Sequence, residues 1–285
     1  MRTLSPDTSP ETERIQLSII ARMPTWRKVE MIARLNEMLS ALVLEGLTQT
    51  YPGADEDELR YRLDEIRIGA NLAQQLKSAR ASSLATLQGG TTVAGDPASV
   101  ITAVVSALDR LRIQYYLGGS IASGTHGVYR ATADVDIVAD LREEHVDALA
   151  RMLGTTFYAD AGMMRDAVRH RSSFNLLDLA TGFKVDVFIP KGRAFDRSQL
   201  ERRVLRSLAA SEGARAYVSS VEDTILAKLE GYRAGGEVSD RQWSDVLGML
   251  KVQAPVVDQA YLRHWAAALG LADLLERALE DAGLV

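Results

Sequence analysis

The chain has 285 residues, no cysteine and a formal net charge of −5. Zero cysteine excludes a disulfide framework, zinc ribbons, iron–sulfur ligation and thiol catalysis, and the acidic balance will not draw the chain onto nucleic acid. Hydrophobic residues at 47% and charged residues at 25% give a globular composition, long enough to bury a core without covalent staples. No apolar run approaches the ~20 residues that cross a bilayer, and the opening MRTLSPDTSPETERIQ lacks the apolar core of a signal peptide. The expectation is a cytoplasmic protein with no membrane contact.

Residues 1–10, with two prolines, read as a frayed tail. Thr25 can cap a helix over Trp26–Gln49, with Val29, Ile32, Leu35, Leu39, Leu42 and Val43 at three- and four-residue steps. Tyr51-Pro52-Gly53 breaks it, and the acidic run Asp55–Glu58 opens a second helix with the stripe Leu59, Leu63, Ile66 and Ala70. This helical hairpin, residues 1–80, cannot bury both faces alone and should dock on the rest of the chain, a second copy or a partner protein. Residues 81–97 are small, polar and glycine-rich, the composition of a linker.

After the linker the period changes. A helix from Pro97 to about Arg112 leads to a short strand, Gln114–Leu117, then a Gly-Gly-Ser turn, a short helix and the strand Val135–Ala139. A helix over 142–153 and a strand near 155–158 follow, and strand-like runs 173–179 and 184–189 flank the hairpin signal Ala180-Thr181-Gly182-Phe183. From Ser219 onward the reading is all helix, with capping pairs Ser220/Asp223 and Ser239/Gln242. The fold class expected is α+β: a small mixed sheet over 98–218, with the hairpin before it and a helical bundle over 219–285.

Asp134 and Asp136 stand two apart in a strand, so both carboxylates project from one face while Val135 and Ile137 point into the other. Adjacent carboxylates repel, and a divalent cation between them relieves the repulsion. Asp186, in KVDVFI, brings a third carboxylate, and three on neighbouring strands can hold two ions for an in-line phosphoryl displacement. The Gly118-Gly119-Ser120 turn lets backbone approach a phosphate, with free N–H groups at the helix start.

The sequence GGS…TADVDI followed by KVDVF resembles the polymerase-β-like nucleotidyltransferase superfamily, closest to small bacterial transferases and to abortive-infection, toxin–antitoxin type transferases. The resemblance covers roughly 98–250. It implies that Gly119 and Ser120 bind the triphosphate, and that Asp134 and Asp136 hold two Mg²⁺ ions (or Mn²⁺). It also implies that Asp186 shares an ion and helps deprotonate an acceptor hydroxyl. The substrate expected is a nucleoside triphosphate, ATP first, and the acceptor is an RNA end, a protein or a small molecule. The toxin-like branch also has a Lys-Leu helix followed by Arg-Asp-x-x-Asp. Lys228 and Asp245 match it, while Gln242 stands where an aspartate is expected. Arg130, four residues before Asp134, reads as a phosphate contact or an ion-pair partner of the aspartates.

Rival readings differ in class. Gly118-Gly119-Ser120-Ile121-Ala122 nearly matches the serine-hydrolase elbow, but neither His170 nor His264 has a recognisable context and the three aspartates are left unused. His126, His145, His170 and His264 show no zinc spacing and read as surface or capping residues, with His126 on the loop nearest the glycine turn. Arg165, Arg169, His170 and Arg171 read as a solvated face or as a nucleotide or RNA contact. The Trp243, Leu247 and Leu250 stripe reads as core. A non-catalytic nucleotide-binding regulator or antitoxin is the alternative to transfer; retention of three carboxylates weighs against it, since unpaired carboxylates cost stability.

Overall fold

The computed structural model describes residues 11–12, 15, 19, 25–68, 73–74, 97–128, 134–154, 156–179, 183–208 and 215–285. The tail 1–10, most of the 81–97 stretch, Arg130 and the turn residues 180–182 lie outside them. Helices α1 (Thr25–Thr50) and α2 (Glu56–Ile68) come first, then α3 (Pro97–Arg110), β1 (Tyr115–Leu117), α4 (Gly119–Thr125) and β2 (Asp134–Ala139). Next come α5 (Glu143–Leu153), β3 (Phe157–Tyr158), α6 (Ala161–His170), β4 (Ser173–Asp178), β5 (Lys184–Phe188) and α7 (Ala194–Arg202). Strands β6 (Val204–Ser207) and β7 (Arg215–Val218) precede four helices: α8 (Val221–Ala234), α9 (Asp240–Gln253), α10 (Gln259–Leu269) and α11 (Ala272–Ala282). The fold class is the expected α+β.

The described residues group into two compact units. One holds the sheet with α3, α5, α6, α7 and the first turn of α4; the other holds α1 from Leu39 onward, α2, the segment beginning at Ala122, and α8–α11.

In the first unit seven strands form one mixed sheet, ordered β3-β4-β5-β2-β1-β7-β6. The centre is the parallel pair β2/β5, where Asp134 lies opposite Lys184 and Asp136 opposite Asp186. β2 alternates: Val135, Ile137 and Ala139 are buried, and Asp134 and Asp136 are half-buried on the other face. β4 runs antiparallel to β5 and sets Asn175 opposite Asp186. Helix α3 packs on α5 and β7, and α6 packs on α5 and β4.

Helix α6 carries Arg165 and Arg169 in a stretch that the sequence reading left without an element. Asp160 caps it by accepting the Met163 N–H at 2.8 Å, and Arg171 ends it in the left-handed region at φ 48°. Helix α7 and strands β6 and β7 occupy a stretch that carried no strong period in the sequence. Their apolar positions are few, and the edge strand β6 leaves Leu205 exposed.

In the second unit the expected caps are present: Ser220 accepts the Asp223 N–H at 3.2 Å, and Ser239 accepts the Gln242 N–H at 3.4 Å. Asp55 does the same for α2, accepting the Glu58 N–H at 2.8 Å. From Leu39 onward the hairpin packs on α9 within this unit. Val43, Leu47 and Leu59 form a cluster joined by Tyr51, Leu63, Ile66 and Val252 of α9. Thr50 donates to Gln253 Oε1 at 3.0 Å, and the Tyr51 hydroxyl donates to the Val252 carbonyl at 3.1 Å. Gln253 also donates to the His126 carbonyl, so buried His126 is a packing residue of the helical unit.

A tight seat explains Gly46 near the end of α1. A Cβ there would lie 2.0 Å from the Thr125 carbonyl oxygen, backbone that cannot swing aside. In an open helix Gly→Ala gains ~1 kcal/mol. Here overpacking dominates, and Gly46→Ala is expected to lose about 1–3 kcal/mol in urea unfolding. A gain in stability would contradict the close approach of α1 to the Thr125 carbonyl.

Candidate functional site

The β2/β5 register places Asp134, Asp136, Lys184 and Asp186 on one sheet face, since residues two apart on a strand share a side. Lys184 Nζ lies 2.7 Å from Asp186 Oδ2 and 3.8 Å from Asp134 Oδ2. Asn175 Nδ2 donates to the other oxygen, Asp186 Oδ1, at 2.7 Å. The cluster is graded in depth: the Asp186 side chain is 1% exposed, Lys184 5% and Asp134 43%. A carboxylate as deep as Asp186 is costly without partners, and here both of its oxygens have one.

The glycine turn is fastened to the same strand. The Gly118 N–H donates to the Asp136 carbonyl at 2.9 Å, and Gly119 opens α4 with φ +51°. A Cβ at Gly119 would fall 1.6 Å from Asp136 Oδ2. The Asp136 carboxylate therefore lies against the turn backbone, and that approach by itself requires a glycine at 119. Ser120 follows directly, half-buried in the first turn of α4.

Hard carboxylate oxygens suit Mg²⁺ or Mn²⁺, which a protein commonly holds by one or two carboxylates with substrate phosphates completing the sphere. Asp134 and Asp136 fit that pattern. Asp186 is committed to Lys184 and Asn175, and among the described residues no three acidic or histidine side chains close on a common point.

Lys228 and Asp245 belong to the helical unit and meet there: Nζ lies 2.7 Å from Asp245 Oδ2, with side chains 12% and 6% exposed. The pairing joins α8 to α9. Gln242 replaces the expected aspartate against Gly231, where a Cβ would lie 3.1 Å from its Nε2. Trp243 stacks beside Tyr232, and the Arg277 guanidinium covers its ring at 4.4 Å, in keeping with a packing role.

The arginine cluster of α6 is bound to α5. Arg165 pairs with Asp147, and Arg169 with Glu143 at 2.6 Å, an ion pair that lowers the Glu143 carboxyl below its ordinary range. Arg171 donates to the Pro190 carbonyl at 2.8 Å. His145 Nδ1 accepts the Arg142 N–H at the start of α5, and exposed His170 lies on the Asp166 carbonyl of its own helix. Exposed His264 packs edge-on against Trp265. None of these three takes the place of a hydrolase base oriented on a serine.

Two site residues escaped the sequence reading. Lys184 was legible, because it stands two before Asp186 on a strand already recognised and so shares its face. Asn175 needed the β4/β5 register, which only the fold supplies.

Gly119→Ala combines a left-handed backbone with an overlap on Asp136, and is expected to lose about 2–4 kcal/mol in thermal or urea melts. In an Asp136→Ala background only the backbone cost of ~1–2 kcal/mol remains. An equal loss in both backgrounds would show that the Gly119–Asp136 approach is not the source.

No family model and no curated protein matches the sequence. Among solved structures the chain is similar to an antigenic nucleotidyltransferase-like protein from Paracoccidioides brasiliensis, at 17% identity over 64% of this chain and 91% of that one, TM-score 0.38. It is also similar to the antibiotic-resistance factor ANT(2'')-Ia, at 13% identity over 61% of this chain and 94% of that one, TM-score 0.37. Likenesses this distant carry no weight in the functional reading that follows.

Proposed function

We propose that the chain is a nucleotidyltransferase that moves a nucleoside monophosphate from a nucleoside triphosphate to a hydroxyl acceptor. The observation that supports this reading most is the single sheet face on which β2 and β5 collect Asp134, Asp136 and Asp186 beside the Gly118-Gly119-Ser120 turn. An acceptor oxygen bonds to the α-phosphorus as the bond to the bridging oxygen breaks, and pyrophosphate leaves.

Asp134 and Asp136 are the residues to hold a divalent cation, Mg²⁺ or Mn²⁺, which would supply charge stabilisation to the transferring phosphoryl group. Asp134, the open end of the cluster, is the ligand that incoming phosphate oxygens can reach. Ser120 offers a hydroxyl and α4 its first N–H groups to the phosphates. The resemblance gives Asp186, held by Lys184 and Asn175, the part of base toward the acceptor hydroxyl. Lys228 and Asp245 complete the set carried over from the resemblance, with ATP as the first nucleotide to try. The setting in view is a cytoplasmic toxin–antitoxin or defence system.

A second reading, nucleotide binding without transfer, gains from one observation. Lys184 gives Asp186 a partner within the fold, so the presence of that carboxylate does not by itself argue for catalysis.

The test is incubation of the full chain with each labelled nucleoside triphosphate, Mg²⁺, cell RNA, cell protein and a small aminocyclitol. Label is expected in one acceptor fraction, and Asp134→Asn or Asp136→Asn should lower incorporation at least ~10²-fold with the melting temperature maintained. A triphosphate-induced melting shift with no labelled acceptor would favour the binding-only reading. Full activity in the double variant would overturn the assignment of these aspartates.

A further inference from the structure

Lys184 is the charged member of the cluster to which neither the sequence pattern nor the proposed chemistry gives a role. Its ammonium lies between the two strands, 2.7 Å from the deepest carboxylate and 3.8 Å from the most open one. We propose that Lys184 is a resident cation of this site, which commits Asp186 to the protein and limits the nucleotide-free site to one divalent ion, held by Asp134 and Asp136.

Charge and geometry agree on that limit. Among the described residues the cluster holds three carboxylates and one ammonium, a balance that one divalent ion neutralises; a second would leave two positive charges over a floor that is almost wholly buried. Asp186 is also held from both sides, by Lys184 on Oδ2 and by Asn175 on Oδ1, so turning toward an ion breaks two bonds. Lys184 cannot easily retreat, because its side chain is only 5% exposed and an unpaired ammonium there is costly. A positive charge fixed in the fold does not dissociate, so Asp186 stays oriented at any ion concentration. Lys184 is in this sense a positioning residue. The proposal rests on reading Asp134 and Asp136 as cation ligands.

Counting bound Mn²⁺ on the full chain without nucleotide, by the loss of its free-ion electron paramagnetic resonance signal, tests this without any activity assay. Wild type is expected to bind one equivalent, and Asp134→Asn to weaken it at least about tenfold. Lys184→Met frees Asp186 and should take up a second equivalent, while Lys184→Arg, which keeps the charge, should stay at one. Two equivalents on wild type, or one on folded Lys184→Met, would overturn the role of Lys184 and leave the cation-ligand reading standing. No ion on wild type would overturn both. Should Lys184→Met fail to fold, the wild-type count still decides.

Discussion

Three carboxylates on two paired strands repel one another, and the central β2/β5 pair can form only if positive charge stands among them. Opposite-charge pairs across a strand ladder stabilise it, and like charges directly opposite destabilise it. The register puts Asp136 directly opposite Asp186, the unfavourable case, and Asp134 opposite Lys184, the favourable one. Lys184 reaches across both positions and Asn175 adds a donor from β4, so the three middle strands of the site share one polar network. The opposite face of β2, with Val135, Ile137 and Ala139 fully buried, fixes which side the aspartates must take, because a one-residue slip would turn them into the core.

The same economy appears in the helical unit, where close backbone approach replaces charge. Gly46, Gly127 and Gly248 sit where a Cβ would meet Thr125, Val252 and Val128 at 2.0, 2.5 and 2.8 Å. These contacts bring α1, the end of α4 with the segment after it, and α9 together, with a glycine on one side of each. An ion pair and a hydrogen bond then reinforce it: Lys228–Asp245 joins α8 to α9, and the Tyr261 hydroxyl donates to buried Asp223 at 2.6 Å, joining α10 to the cap of α8. No described helix is long and apolar enough to cross a membrane.

Much of this was legible in the residues. The alternation Asp-Val-Asp-Ile fixed a half-buried strand, and the caps at Ser220 and Ser239 marked helix starts because their side chains compete for the first free N–H groups. The hairpin was legible from its stripes, but its docking on α9 was not, since Thr50 and Gln253 stand 203 residues apart. Helix α6 was hidden because its charged side carries the arginines, and only Met164 and Ala167 face inward. The need for Gly119 was legible in part: a glycine turn shows that something approaches the backbone, and the fold reveals that the Asp136 carboxylate does.

The stability of Lys184→Met, Asp186→Asn and the double variant, from urea unfolding of the full chain, tests the central claim most directly. Each single change leaves a buried charge without its partner and is expected to cost about 3–5 kcal/mol, while the double change removes both charges and should cost far less than the sum. Additive losses would contradict the account, because they would mean that Lys184 and Asp186 do not depend on each other and that the strands pair without the charge between them.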